Sequence, residues 1–217
     1  MSTNERILSP FTLPNGTELK NRLLMAPMTT CTGYYDGTVT SELVEYYRAR
    51  SGSIGTIIVE CCFVDDLGLA FPGAIGIDND EKIAGLAKIA DAIKSKGSKA
   101  LLQIYHGGRM VDPKLIGGRT PVGPSAVAAP RDGAATPVAL TTEEVEGMVG
   151  KFGEAVRRAI QAGFDGVEIH GANTYLIQQF YSPNSNQRDD EWGGSRDNRA
   201  RFPLAVLDIT HKMVRQY

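Results

Sequence analysis

An imidazole, a carboxamide and a phenol fall within six residues of one another: His170, Asn173 and Tyr175. The short apolar run Gly166-Val167-Glu168-Ile169 leads straight into them. If that run is a strand that opens into a loop, all three side chains emerge at one end of a sheet. Histidine and asparagine can each bond an oxygen. A phenol with an ordinary pKa of about 10 is protonated at neutral pH and can give its proton away. Together they suit a reaction that polarises a carbonyl and protonates a neighbouring atom. Residue types alone leave a plainer account open, a strand-end histidine satisfied by its own loop. No metal site is expected, because His106, His170 and His211 are the only three histidines and lack zinc-ligand spacing.

The elements that must carry these groups alternate along the chain. Phe11 to Leu19 contains Asn15-Gly16, the preferred pair for a two-residue hairpin turn with positive φ at both positions. Leu23 to Met28 is a continuous apolar run, suited to a strand buried on both faces. A helix is expected over about 41–50. Thr56-Ile57-Ile58-Val59 is a second β-branched run. Asp80 to Lys96 carries Ile83, Leu86, Ala87, Ala90 and Ile93 at helical spacing, with Gly97 as its stop. Ala100 to Ile104 is a third strand. Thr141 and Glu144 form a capping box ahead of the apolar stripe Val145, Met148, Val149, Phe152, Val156, Ala159 and Ile160, which ends at Gly163. Val167 to Ile169 is the fourth strand, and 199–215 the fourth helix.

Composition sets the class. The chain has 217 residues, 42% hydrophobic and 22% charged, with a net charge of −2. That is the profile of an ordinary globular domain, and 1–217 reads as one domain. No basic excess points to nucleic acid, and no stretch has the length of a membrane span. The start has no secretory pattern, and Cys31, Cys61 and Cys62 are odd in number and lack metal-ligand spacing. A cytoplasmic protein with reduced thiols is expected. Adjacent Cys61 and Cys62 should point to opposite faces of a strand.

Consecutive strand–helix units imply a parallel sheet covered by helices. An open doubly wound sheet and a closed eight-stranded barrel both satisfy that order. The dinucleotide fingerprint is absent after the first strand, which weighs against the open sheet. Long polar segments follow the strands, at 105–140 and 171–196, as on the C-terminal face of a barrel. The expected fold is therefore α/β, a TIM-type (βα)8 barrel of which the chain covers about the first four units, preceded by a β-hairpin.

The chain resembles the old yellow enzyme family of FMN-dependent NAD(P)H oxidoreductases. The resemblance is carried by His170, Ala172, Asn173, Tyr175 and Leu176. It continues through Ser182, Pro183, Asn186, Arg188, Asp190, Gly193, Gly194, Ser195, Asn198 and Arg199. It extends to Asn21-Arg22, Ala26-Pro27-Met28-Thr29, Val59-Glu60 and the stretch from Leu102 to Arg109. The match covers nearly the whole chain but only the first half of that family's barrel.

The resemblance implies a flavin across the barrel mouth. The backbone of Pro27 and Met28 and the hydroxyl of Thr29 would face its O4 and N5 edge, where a donor stabilises charge on the reduced ring. Cys61 would lie against the ring, and Gln103 would bond its pyrimidine edge. His170 and Asn173 would hold the carbonyl oxygen of an α,β-unsaturated substrate, and Tyr175 would protonate its α-carbon. The hydride would come from NADH or NADPH by way of FMN. His106 and Arg109 are expected near the mouth. Arg188, Asp190, Asn198 and Arg199 would fix the polar loop as ion pairs and caps. Thr174 stands where the family commonly has glycine.

Four strands alone leave open sheet edges and an uncovered inner face. The chain is therefore expected to pair with itself or with a complementary half-barrel, or else to be a fragment or assembly module without catalysis of its own.

Overall fold

The computed structural model describes residues 3–217. Helix α1 (Thr3–Leu8) precedes a small antiparallel hairpin of β1 (Phe11–Thr12) and β2 (Glu18–Leu19). The hairpin turn differs from the expected two-residue form. Leu13 N–H donates to Thr17 C=O at 2.8 Å, which leaves Pro14-Asn15-Gly16 as the loop. Only Gly16 takes a positive φ, +85°. Proline explains the shift: Pro14 has no N–H, so the last pair must form one residue earlier.

Next come β3 (Leu24–Met25), α2 (Ser41–Arg50), β4 (Thr56–Phe63), α3 (Ile83–Lys94) and β5 (Lys99–Tyr105). After them follow β6 (Val122–Gly123), β7 (Val138–Ala139), α4 (Thr142–Gln161), β8 (Gly166–Ile169), α5 (Leu176–Tyr181) and α6 (Arg196–Gln216). The main sheet is parallel, in the order β3-β4-β5-β8. Strand order equals chain order, so each crossover steps one strand along, as in a barrel. No helix among the described residues is long and apolar enough to cross a membrane.

The first sheet strand is shorter than the apolar run Leu23–Met28 suggests. Pairing covers only Leu24 with Thr56 and Met25 with Ile57. Pro27 cannot donate to a ladder. Beyond it Thr30 donates to the Glu60 carboxylate of β4 with its hydroxyl at 3.0 Å and with its backbone N–H. The two long segments are not wholly irregular either. Residues 105–140 contain two 3-10 turns and the small parallel pair β6–β7, and 171–196 contains α5. Short apolar stretches inside polar sequence hide these elements from a periodicity reading.

The core lies between the sheet and its helices. Ile57, Val59 and Cys62 of β4 and Leu102 and Ile104 of β5 meet Leu86, Ile89 and Ile93 of α3 and Val145, Phe152 and Val156 of α4. Burying each such aliphatic side chain contributes about 1.5–3 kcal/mol. Phe180 of α5 stacks on Phe202 of α6 with centroids 4.2 Å apart, and this joins the last two helices. The capping box at Thr141 forms as the sequence implies. Helix α6 begins at its cap Ser195, somewhat earlier than expected.

Strand β4 carries one irregularity. Val59 is level with Leu102 and Cys62 with Ile104, so β4 spends one residue more than β5 between them. Such a bulge re-aims side chains. Cys62 stays in the helix-side core while Cys61 turns to the opposite face, with Phe63 and Tyr105.

Candidate active site

Strand alternation positions the site. On β5, Leu102 and Ile104 face the helices, so Gln103 and Tyr105 face the other way. Glu168 lies level with Gln103 in the parallel ladder, and Gln103 Nε2 donates to its carboxylate at 2.6 Å. His170 follows at the end of β8, where its N–H donates to Ile104 C=O at 3.0 Å.

His170, Asn173 and Tyr175 converge. The His170 and Tyr175 rings meet edge to face, with centroids 4.9 Å apart. Asn173 Nδ2 lies 3.4 Å from His170 Nε2. Tyr105, 5.3 Å from the Tyr175 ring, forms the floor, and Phe71 closes one side at 6.3 Å. Thr29 and Cys61 join the same region, hydroxyl to thiol at 3.3 Å, and Cys61 packs with Tyr105. Pro27 is half-buried and Met28 is 64% exposed, both beyond the last strand pair at Met25.

The protonation states follow from burial. His170 is buried, which holds its pKa below the usual value against the pull of Glu168. Its Nδ1 accepts from Ala172 N–H at 3.2 Å, so the ring proton sits on Nε2. Two donors, His170 Nε2–H and Asn173 Nδ2–H, therefore lie side by side, 3.4 Å apart, at the exposed end of the cluster. Burial pushes Tyr175 up to about 12, with Cys61 a smaller contributor, so the phenol keeps its proton at neutral pH. Burial also pushes the Cys61 thiol up to about 11. Glu60, fully buried, is raised by burial although Thr30 bonds it.

His106 and Arg109 turn inward rather than toward the mouth. His106 is 1% exposed, its Nδ1 accepts from Gly108 N–H at 2.9 Å, and burial pushes its pKa down to about 3. The Arg109 guanidinium donates to Val127 and Ala128 carbonyls at 3.2 and 3.1 Å. Arg188 pairs with Asp190, and its guanidinium also reaches Pro124 C=O at 3.0 Å and Leu140 C=O. Asn198 donates to Asp190 C=O at 3.3 Å, and Arg199 to Tyr181 C=O at 2.9 Å.

Tyr105, Phe71 and Glu168 were not singled out from the sequence. Alternation would have found two of them. Tyr105 shares the face of Gln103, and Glu168 the face of His170. Phe71 lies in a loop after β4, and no periodicity marks it.

A parallel α/β barrel segment whose strand ends gather neutral donors and a protonated phenol defines the class. Over residues 6–216 the chain matches the NADH:flavin oxidoreductase / NADH oxidase family, and it belongs to that family. It is 88% identical over 217 residues to NADH:fumarate oxidoreductase of Klebsiella pneumoniae, covering all of this chain and 24% of that protein. It is 58% identical over 212 residues to NADH:acrylate oxidoreductase of Vibrio harveyi, covering 98% of this chain and 21% of that protein. In structure it is similar to the old yellow enzyme homologue from Zymomonas mobilis. The TM-score is 0.88 at 34% identity, over 96% of this chain and 60% of that one. The chain thus spans about a quarter of the length of these curated relatives.

The residues present fit the FMN that this family binds. Gln103 spends one Nε2 hydrogen on Glu168 and makes no other side-chain bond, which leaves Oε1 and a second N–H for a ligand. The Thr29 hydroxyl has only a weak thiol partner in Cys61. A ring that presents both donors and acceptors would find partners in both.

Proposed function

We propose that this chain forms the N-terminal four units of an FMN-dependent oxidoreductase barrel that uses NADH or NADPH to reduce an activated C=C bond. Segments 105–140 and 171–196 would form its C-terminal face. The observation that carries this reading is the pair of unshared donors on His170 and Asn173. A carbonyl oxygen placed between them would satisfy both. Donation to that oxygen draws electron density away from the conjugated alkene and leaves its β-carbon open to hydride.

Tyr175 would supply the proton to the α-carbon. Its phenol sits against the His170 ring and stays protonated at neutral pH. FMN, when bound, supplies the hydride-accepting and hydride-donating chemistry. The chain's own residues hold and tune it: Thr29 and the Pro27-Met28 backbone at one edge, Gln103 at the other, Cys61 against the face.

The names of the Klebsiella and Vibrio relatives point to unsaturated acids as acceptors. The side chains packed around Tyr175 include no lysine or arginine, and the charged group beside His170 is the Glu168 carboxylate. The cluster therefore suits an uncharged carbonyl, such as an enone or the nicotinamide carboxamide, better than a dianion. A doubly charged acceptor would need a cation from elsewhere in a longer protein.

Single-turnover kinetics of the complete protein test the proposal. Replacing both His170 and Asn173 by Leu should weaken acceptor binding about a hundredfold, roughly 1.4 kcal/mol per donor. Unchanged acceptor kinetics in that variant would remove the pair from the substrate site.

A further inference from the structure

Asn173 and Thr174 both sit in the left-handed region, at φ +53° and +61°. Two consecutive non-glycine residues there are strained, and such backbone persists only where surrounding contacts hold it. These are the residues that aim Asn173 and Tyr175 at the His170 ring. What holds them lies one helical turn further on.

We propose that Gln179 is the positioning residue of this site, locking the 173–175 turn to the loop that follows β5. Gln179 is 1% exposed, and both ends of its carboxamide are bonded. Nε2 donates to Thr174 C=O at 2.6 Å and to Gly107 C=O at 3.1 Å. Oε1 accepts from Arg109 N–H at 3.1 Å. Two carbonyls on one side and an N–H on the other permit only one orientation of the amide. The neighbouring Gln178 holds the same residue through the preceding peptide, accepting from Thr174 N–H at 2.5 Å. Leu176 N–H adds a bond to His106 C=O at 2.9 Å.

The opposite loop is shaped to admit this side chain. Gly108 has φ +58°, and a Cβ there would lie 2.3 Å from Gln179 Oε1. Any larger residue would push the carboxamide off Thr174. The side chain thus joins the ends of β5 and β8, and the strain at 173–174 is held from outside the turn. No other residue type reproduces this. Glutamate presents acceptors to two carbonyls, and methionine fills the space with no bonds.

The proposal rests on the reading of His170, Asn173 and Tyr175 as the site, but its test reads loop geometry and not turnover. Hydrogen exchange in the full 217-residue chain would be compared for the natural sequence, Gln179→Met, and Gln179→Met combined with Thr174→Gly. The single variant should lose about tenfold or more protection at the amides of Thr174 and Arg109, while Val59 and Leu102 in the sheet keep theirs. Glycine adopts the left-handed turn without strain, so the double variant should recover protection at residue 174 but not at Arg109. Unchanged protection at Thr174, or an equal loss throughout the chain, would overturn the assignment. If Gln179→Met does not fold, Gln179→Glu answers the same question through its pH dependence. Protection at Thr174 should be low at neutral pH and return on acidification, as the protonated acid regains a donor. No recovery would again overturn it. Tyr175→Phe turnover separately tests the site reading, so the two can fail independently.

Discussion

Asn173 Nδ2 lies 3.4 Å from His170 Nε2, which sets two nitrogen donors side by side at the exposed end of the cluster. The arrangement is imposed from below. Ala172 N–H occupies His170 Nδ1 and forces the ring proton outward onto Nε2. A left-handed turn at 173 swings the carboxamide back over the ring. Asn173 is exposed, so an arriving oxygen would replace water at these two donors.

Tyr175→Phe separates the two halves of the proposed reaction. In the proposed reaction the phenol would give its proton only in alkene reduction, so flavin reduction by NADH should keep its rate. Alkene reduction should fall by about a hundredfold or more, the usual worth of a positioned acid. Stopped-flow measurement of each half in the complete protein checks this. Equal rates for variant and parent in the second half would remove Tyr175 from the acid role.

Thr174→Gly should not destabilise the fold. The left-handed conformation costs a threonine about 1–2 kcal/mol, and glycine loses about 0.5–1 kcal/mol of that gain through chain entropy. A rise of up to about 1 kcal/mol in urea unfolding is expected. The threonine hydroxyl bonds only the adjacent Asn173 C=O, at 2.6 Å, so little else is lost. A loss beyond about 1 kcal/mol would mean that the side chain matters in some other way.

The fold should weaken in mild acid because of His106. Burial lowers its folded pKa to about 3, while the unfolded histidine titrates near its ordinary value of about 6.5. Between those values the unfolded state binds the extra proton. The stability tied to the neutral ring is complete above about pH 6.5 and is lost progressively as pH falls toward 3. His106→Asn keeps an acceptor for Gly108 N–H and cannot titrate. Its stability should change less between pH 6.5 and 4 than that of the parent, measured by denaturant midpoints at each pH. Parallel curves would show that other groups set the slope.

Arg188→Ala should be among the costlier single changes. The guanidinium pairs with Asp190 and reaches the carbonyls of Pro124 and Leu140, with the side chain 9% exposed. Truncation leaves a carboxylate and two carbonyls short of a donor at once. A loss of about 3 kcal/mol is expected. Calorimetry would settle it, and a loss under 1 kcal/mol would mean that water replaces the guanidinium freely.

Much of this protein was legible in its residue order. The parallel α/β architecture followed from apolar runs alternating with helical stripes, because burial on both sheet faces and on one helix face leaves different periods. The capping box at Thr141 and the trio His170, Asn173 and Tyr175 were likewise local, set by spacing within a few residues. Contacts made across the chain were not legible. Proline chemistry cut short the first strand and moved the hairpin turn. A single extra residue in β4 turned Cys61 toward the site and kept Cys62 in the core. The inward turn of His106 and Arg109, the floor made by Tyr105 and Phe71, and the reach of Gln179 from α5 to two separate loops arise where distant segments meet. Periodicity records which face a residue takes, whereas the partner it finds there depends on how the strands are placed side by side.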